Sequence, residues 1–100
     1  MGAVEITICY WLSEAFTGGS GTSHTLQESF QEGETLGDLL NRLTSKLPSF
    51  GMVIFDSENQ CLYPQVNFIF RDKAGDPIRD FHHKLNDGDR IVFLPIYAGG

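Results

Sequence analysis

Leu36, Leu39, Leu40, Leu43 and Leu47 stand at the spacing of one helical stripe, and that stripe constrains the fold more than any other feature of the chain. Thr35 precedes it as an N-cap. Asp38, three positions on, completes a capping-box pattern, in which the hydroxyl accepts from one backbone N–H and the carboxylate reaches back to another. Pro48 predicts the end of the helix, because the residue before a proline is pushed out of helical geometry. A helix this apolar on one side needs a sheet to cover it.

The sheet is legible on both sides of the helix. Val4, Ile6, Ile8, Tyr10 and Leu12 fall on one parity, and Glu5, Thr7, Cys9 and Trp11 on the other, which predicts a strand. Residues 17–22 are rich in glycine and read as a loop. No Lys-Ser or Lys-Thr closes a phosphate-binding motif there. A weaker alternation through His24, Leu26, Glu28 and Phe30 predicts the return strand of a hairpin. Residues 49–65 carry little pattern: 52–55 fits either a short strand or a buried turn, and 56–60 reads as a polar turn. Val66, Phe68 and Phe70 alternate with Asn67, Ile69 and Arg71, which predicts another strand. Residues 74–77 read as a turn, and 77–80 as the start of a short return strand. Asp87-Gly88-Asp89 is a strong turn signal before a last strand, 90–94, that continues towards Pro95-Ile96-Tyr97. That last strand is apolar on both parities, as a central strand is.

One helix among four or so strands, without a repeat or a linker, predicts a single α+β domain over residues 1–100, with a mixed sheet and the helix across one face. No apolar run approaches the roughly 20 residues of a membrane span, and no signal peptide is visible. Met1-Gly2 suggests myristoylation, but Ile6 stands where that motif needs Ser or Thr. The expectation is a cytoplasmic protein with no membrane partner. A formal net charge of −6, with Lys and Arg scattered along the chain, argues against nucleic acid. Cys9 and Cys61 read as two free thiols. His82 and His83, adjacent on an extended segment, would point to opposite faces, so no metal site is expected. Asp76, Asp80, Asp87 and Asp89 read as turn-formers.

The order of elements, together with Thr35-Leu36-Gly37-Asp38-Leu39-Leu40, Val66-Asn67 and above all the run from Leu85 through Asn86-Asp87-Gly88-Asp89 to Pro95 and Gly99-Gly100, resembles the β-grasp (ubiquitin-like) sulfur carriers of the MoaD/ThiS/CysO type. The resemblance weakens over 13–30 and 49–65. It implies a β-grasp fold with a flexible Gly-Gly tail, 98–100. It further implies that an E1-like adenylyltransferase uses ATP to adenylate the Gly100 carboxylate. A sulfur donor would then displace AMP to leave a thiocarboxylate, and a sulfur-accepting synthase would take the sulfur. The carrier itself would bind no cofactor, act as no enzyme, and be a monomer when free.

The residues fit that chemistry. A carboxylate is a poor electrophile until it bears a good leaving group, and two residues without Cβ keep the tail thin enough to thread into another protein's active site. If Ile91 and Phe93 face the helix, Val92 and Leu94 face away, as does Trp11 on the first strand. With Gly99 and Gly100 as the reacting end, Trp11, Val92, Leu94 and Tyr97 are the candidate partner-binding residues. Ile96-Tyr97 departs from the smaller or proline-containing pair usual before the tail, which leaves the pathway open among molybdopterin, thiamine, cysteine and related products. Two other classes begin from the same residues: a ubiquitin-like modifier conjugated through Gly100, and a β-grasp binding module with an inert tail.

Overall fold

A computed structural model describes residues 2–9 and 23–95. The expected continuation of the first strand through Trp11, the loop at 17–22, and the end of the chain from 96 to 100 lie outside the described residues.

β1 (Gly2–Cys9) and β2 (Ser23–Phe30) form the expected antiparallel hairpin, with Ile6 opposite Leu26. The alternation has its physical counterpart in burial: Val4, Ile6 and Ile8 are at most 1% exposed, and the residues between them are half-buried. α1 (Leu36–Lys46) carries the full capping box. The Asp38 N–H donates to Thr35 Oγ1 at 3.2 Å and the Thr35 N–H donates to Asp38 Oδ2 at 3.1 Å. Leu36, Leu39, Leu40 and Leu43 are buried, while Leu47, the C-cap, is only half-buried.

Pro48 ends α1 and also opens a second helix, α2 (Pro48–Val53). Proline is well suited to a first helical position, where its missing N–H has no partner to lose. The pattern-poor stretch therefore resolves into this helix followed by β3 (Phe55–Asp56) and β4 (Cys61–Leu62), a separate two-stranded sheet. The polar turn between them is built as expected, with Asp56 Oδ1 accepting from the N–H groups of Glu58 and Asn59 at 3.1 and 3.4 Å.

β5 (Val66–Phe70) agrees with its sequence pattern. The return strand does not lie at 77–80. It is β6 (Lys73–Ala74), and residues 77–80 form a one-turn helix, α3 (Pro77–Asp80), capped by Asp76, whose Oδ1 accepts from the Ile78 N–H at 3.0 Å. The 87–89 turn holds Gly88 at φ +88°, a conformation that favours glycine. This turn is stitched to the start of β1: the Gly88 N–H donates to the Ala3 carbonyl at 2.9 Å, and the Ala3 N–H donates to Asp87 Oδ1 at 3.0 Å. β7 (Arg90–Pro95) follows.

The main sheet has the order β2-β1-β7-β5-β6. β7 is central, parallel to β1 and antiparallel to β5, with Phe93 beside both Ile8 and Phe68. This is a β-grasp: a hairpin, a helix laid across one face, and a last strand inserted in the middle. The four buried leucines of α1 share one core with Ile6, Ile8, Phe68, Ile91 and Phe93, as the two periodicities predict. On the edge strand β2 the inward-facing Glu28, 7% exposed, is held by Lys46 at 2.9 Å. An inward charge of this kind discourages a foreign strand from adding to the edge.

Gly75 marks where β6 closes on the core. A Cβ there would lie 2.1 Å from the Phe68 ring, and Phe68 is 1% exposed with no room to yield. Gly75→Ala is expected to cost about 1–3 kcal/mol through overpacking. The loss would be read as a lower urea midpoint at unchanged slope.

Candidate functional site

β7 has two faces with different fates. Ile91 and Phe93 are 0% exposed beneath α1, whereas Val92 and Leu94 lie on the other face and are half-buried. The register builds a row across that outer face: Thr25, Thr7, Val92, Ile69 and Ala74 are successive neighbours on β2, β1, β7, β5 and β6. The Thr7 and Thr25 hydroxyls share a hydrogen bond at 3.2 Å. The next row holds Leu94 beside Asn67. Cys9 follows Ile8 on β1 as Leu94 follows Phe93 on β7, and partial burial pushes its thiol pKa up. The result is a shallow apolar strip, Val92, Leu94 and Ile69, rimmed by Thr7, Cys9 and Asn67.

Residues 48–65 leave this strip uncovered. Phe50 of α2 packs edge-on against Phe93 at 5.6 Å, on the α1 side, and the Tyr63 hydroxyl donates to the Gly51 carbonyl on that same side. Val92 and Leu94 thus lie where their parity placed them. Ile69 and Thr7 complete the strip but were not singled out by sequence reasoning, although the alternation of β5 and β1 already put them on that face. Trp11, Tyr97, Gly99 and Gly100 lie outside the described residues.

The other candidates resolve into structural roles. Asp89, 8% exposed, accepts from Arg71 Nε and Nη2 at 2.9 and 3.0 Å and from the Asn86 N–H at 2.8 Å. Asp80, 5% exposed, accepts from the Asp76 N–H at 2.7 Å and from Arg79 Nε at 3.1 Å, with His83 Nε2 at 3.6 Å. Burial alone would raise the Asp80 pKa, but the Asp76 N–H, the Arg79 guanidinium and His83 together outweigh it and hold it below the ordinary value. A depressed carboxylate pKa stabilises the fold above the unfolded value of about 4, and that stability is lost as pH falls through the folded value. Asp80→Asn should therefore lower stability at neutral pH and flatten the acid side of the stability profile, measured by urea melts between neutral pH and pH 3. Cys9 and Cys61 are free thiols. Among the described residues no group of three or more His, Cys, Asp or Glu is arranged to hold a metal, and no helix is long and apolar enough to cross a membrane.

A β-grasp with a central last strand leading towards Gly99-Gly100 is the setting in which sequence similarity becomes decisive. The ThiS family model matches residues 19–100, through to the terminal glycines. The chain belongs to the ThiS family. Members of this ubiquitin-like β-grasp group are small sulfur-carrier or modifier proteins rather than catalysts. No match is found among curated proteins. Among solved structures, the small archaeal modifier protein 1 from Methanosarcina acetivorans is 26% identical, with a TM-score of 0.69 over 100% of this chain and 98% of that one. Urm1 from Trypanosoma brucei is 18% identical, with a TM-score of 0.71 over 99% and 96%. CysO from Mycobacterium tuberculosis is 23% identical, with a TM-score of 0.59 over 94% and 99%. This ThiS-family chain therefore has the architecture expected from its sequence, and the strip on β7 lies on the strand that leads to its glycines.

Proposed function

We propose that this ThiS-family chain is a sulfur carrier whose Gly100 carboxylate is the reacting group. The observation that carries the reading is the family match over residues 19–100, a range that includes the 87–89 turn, the central strand and Gly99-Gly100. In the proposed sequence, a carboxylate oxygen of Gly100 attacks the α-phosphorus of ATP on an E1-like adenylyltransferase and pyrophosphate leaves. A sulfur nucleophile from a donor then attacks the acyl carbon, expelling AMP and leaving a thiocarboxylate. A sulfur-accepting synthase takes the sulfur. ATP serves the activating partner, and the carrier contributes the carboxylate, the thin Gly99-Gly100 approach and the surface by which it is held.

That surface is the outer strip, with Val92 and Leu94 at its centre and Trp11 and Tyr97 as the further residues proposed to meet the partner. The apolar area that Val92, Leu94 and Ile69 still expose is removed from water when a partner covers it, and aromatic side chains are frequent anchors at interfaces. Leu94→Glu is expected to weaken binding to the adenylyltransferase by about tenfold or more, the size of a modest interface anchor, with the thermal melt little changed. Equal affinity in a titration calorimeter would remove Leu94 from the interface.

The test of the reading is direct. The full chain is mixed with an adenylyltransferase encoded in the same genome, ATP and sulfide, and its intact mass is measured. Exchange of one oxygen for sulfur is expected, confined to the C-terminal peptide. An unchanged mass, with the partner active on another substrate, would overturn it. A second reading has its own support: the Methanosarcina acetivorans neighbour is named a modifier. In that case the adenylate would be captured by a lysine amine, giving an isopeptide-linked conjugate.

A further inference from the structure

The Lys and Arg residues are unevenly spread along the chain, and residues 71–100, with five cations and five carboxylates, are neutral overall. Residues 1–70 hold only Arg42 and Lys46 against eight carboxylates, so they carry the whole net charge of −6. The other five cationic residues, Arg71, Lys73, Arg79, Lys84 and Arg90, fall within twenty residues of one another. The fold gathers three of these around an open hollow of about 480 Å³, floored by Phe70 and ringed by Arg71, Lys73, Arg79 and His83, with Asp80 at its base. The three come from different elements: Arg71 from the end of β5, Lys73 from β6 and Arg79 from α3.

Each cation keeps capacity for an outside partner. Arg71 spends Nε and Nη2 on Asp89 and the Lys84 carbonyl, and its guanidinium lies 4.6 Å over the Phe70 ring, which leaves Nη1. Arg79 spends Nε on Asp80, and its side chain is 64% exposed. Lys73 is exposed, and its ammonium makes no hydrogen bond or ion pair among the described residues. Asp80 is buried and accepts from the Asp76 N–H and Arg79 Nε, yet its charge opposes any compact anion that goes deep. An occupant with charges spaced around the rim meets the three cations without meeting Asp80.

We propose that this hollow docks an acidic segment of a protein partner, with aspartate or glutamate carboxylates pairing to Arg71, Lys73 and Arg79. A nucleic acid is disfavoured because its backbone extends beyond the hollow onto a surface that carries the net −6. A short acidic segment stays within it. The hollow also lies at the opposite end of β7 from Pro95. The Arg71 N–H donates to the Arg90 carbonyl at 3.1 Å, at the first residue of β7, whereas the chain leaves that strand at Pro95, about 16 Å further along at the usual rise per residue. The lining of the hollow includes neither Val92 nor Leu94, so the site does not depend on whether Gly100 carries sulfur or forms conjugates.

The experiment uses the full chain labelled with ¹⁵N and three probes: an octaglutamate peptide, a polyuridine RNA of similar charge, and inorganic phosphate. Octaglutamate is expected to shift the amide signals of residues 70–83 and to lose its effect in high salt. The double variant Lys73→Gln/Arg79→Gln should weaken this binding about fivefold, as removal of two exposed ion pairs would. The control Thr25→Glu/Gln27→Glu, on the edge strand β2, changes net charge by the same amount and should weaken it less than twofold. Absence of shifts at 70–83, equal weakening by the two double variants, or tighter binding of RNA or phosphate at these residues would each overturn the proposal.

Discussion

Gly100→Ala is expected to cut ATP–pyrophosphate exchange with the adenylyltransferase by roughly 100-fold, the scale of loss when a reacting group is displaced by about 1 Å. The substitution adds one methyl group. It also narrows the backbone conformations open to the residue that, in the proposed function, enters a partner's nucleotide site. Stability should be unchanged, because glycine has no side chain whose contacts could be lost. That separation is the informative part, since a melt identical to wild type with exchange abolished assigns the defect to chemistry. Adding one residue after Gly100 should do the same by moving the carboxylate past the place prepared for it. Normal exchange in both variants would leave the binding-module reading standing.

Phe93→Ala is expected to have the largest effect on the fold. Phe93 is 0% exposed on the central strand, between Ile8 of β1 and Phe68 of β5, with the Phe50 ring edge-on at 5.6 Å and the Phe68 ring at 6.5 Å. Its removal opens a cavity where the sheet, α1 and α2 meet, and its neighbours on two sides, Ile8 and Phe68, are fixed by the sheet register. The expected cost is about 3–5 kcal/mol. For a chain of 100 residues that is a fall in melting temperature of more than about 10 °C, a large part of the 5–15 kcal/mol that typically holds such a domain together. Phe93→Leu, which keeps most of the volume, should lose much less. A calorimetric melt of Phe93→Ala within two or three degrees of wild type would show that the core does not close around this ring.

Elements whose own residues repeat were legible from sequence. α1 has a full stripe of leucines and a cap made by two residues three apart, and both appear as read. β1, β5 and β7 are long enough to show alternation, and the double apolar parity of β7 marked it as central. The short elements were not legible for the same reason. α2 and α3 have six and four residues, too few to show a helical period, and β6 has two. The available signal was positional: Pro48 and Pro77 each stand at the start of a helix, a role that reading Pro48 only as a terminator overlooked.

The candidate site divides in the same way. The outward placement of Val92 and Leu94 followed from parity alone. Ile69 and Thr7 needed the strand order, because the parity of each strand does not say which strands are neighbours. The basic hollow depends on contacts such as Arg71 with Asp89, eighteen residues apart, and on α3 folding back beside β6, neither of which has a local pattern. The sequence places five of the seven cations within residues 71–90, and only the fold shows which three of them line one hollow.

Carrier and modifier share every step up to the adenylate, so the fate of Gly100 in the cell separates them. The decisive measurement is the intact mass of the protein recovered from its own cells through an N-terminal tag, so that Gly100 is left as the cell makes it. A sulfur carrier appears as a single chain, a fraction of it bearing one sulfur in place of one oxygen at the C-terminal glycine. A ladder of larger isopeptide-linked species, with no sulfur exchange at Gly100, would contradict the account.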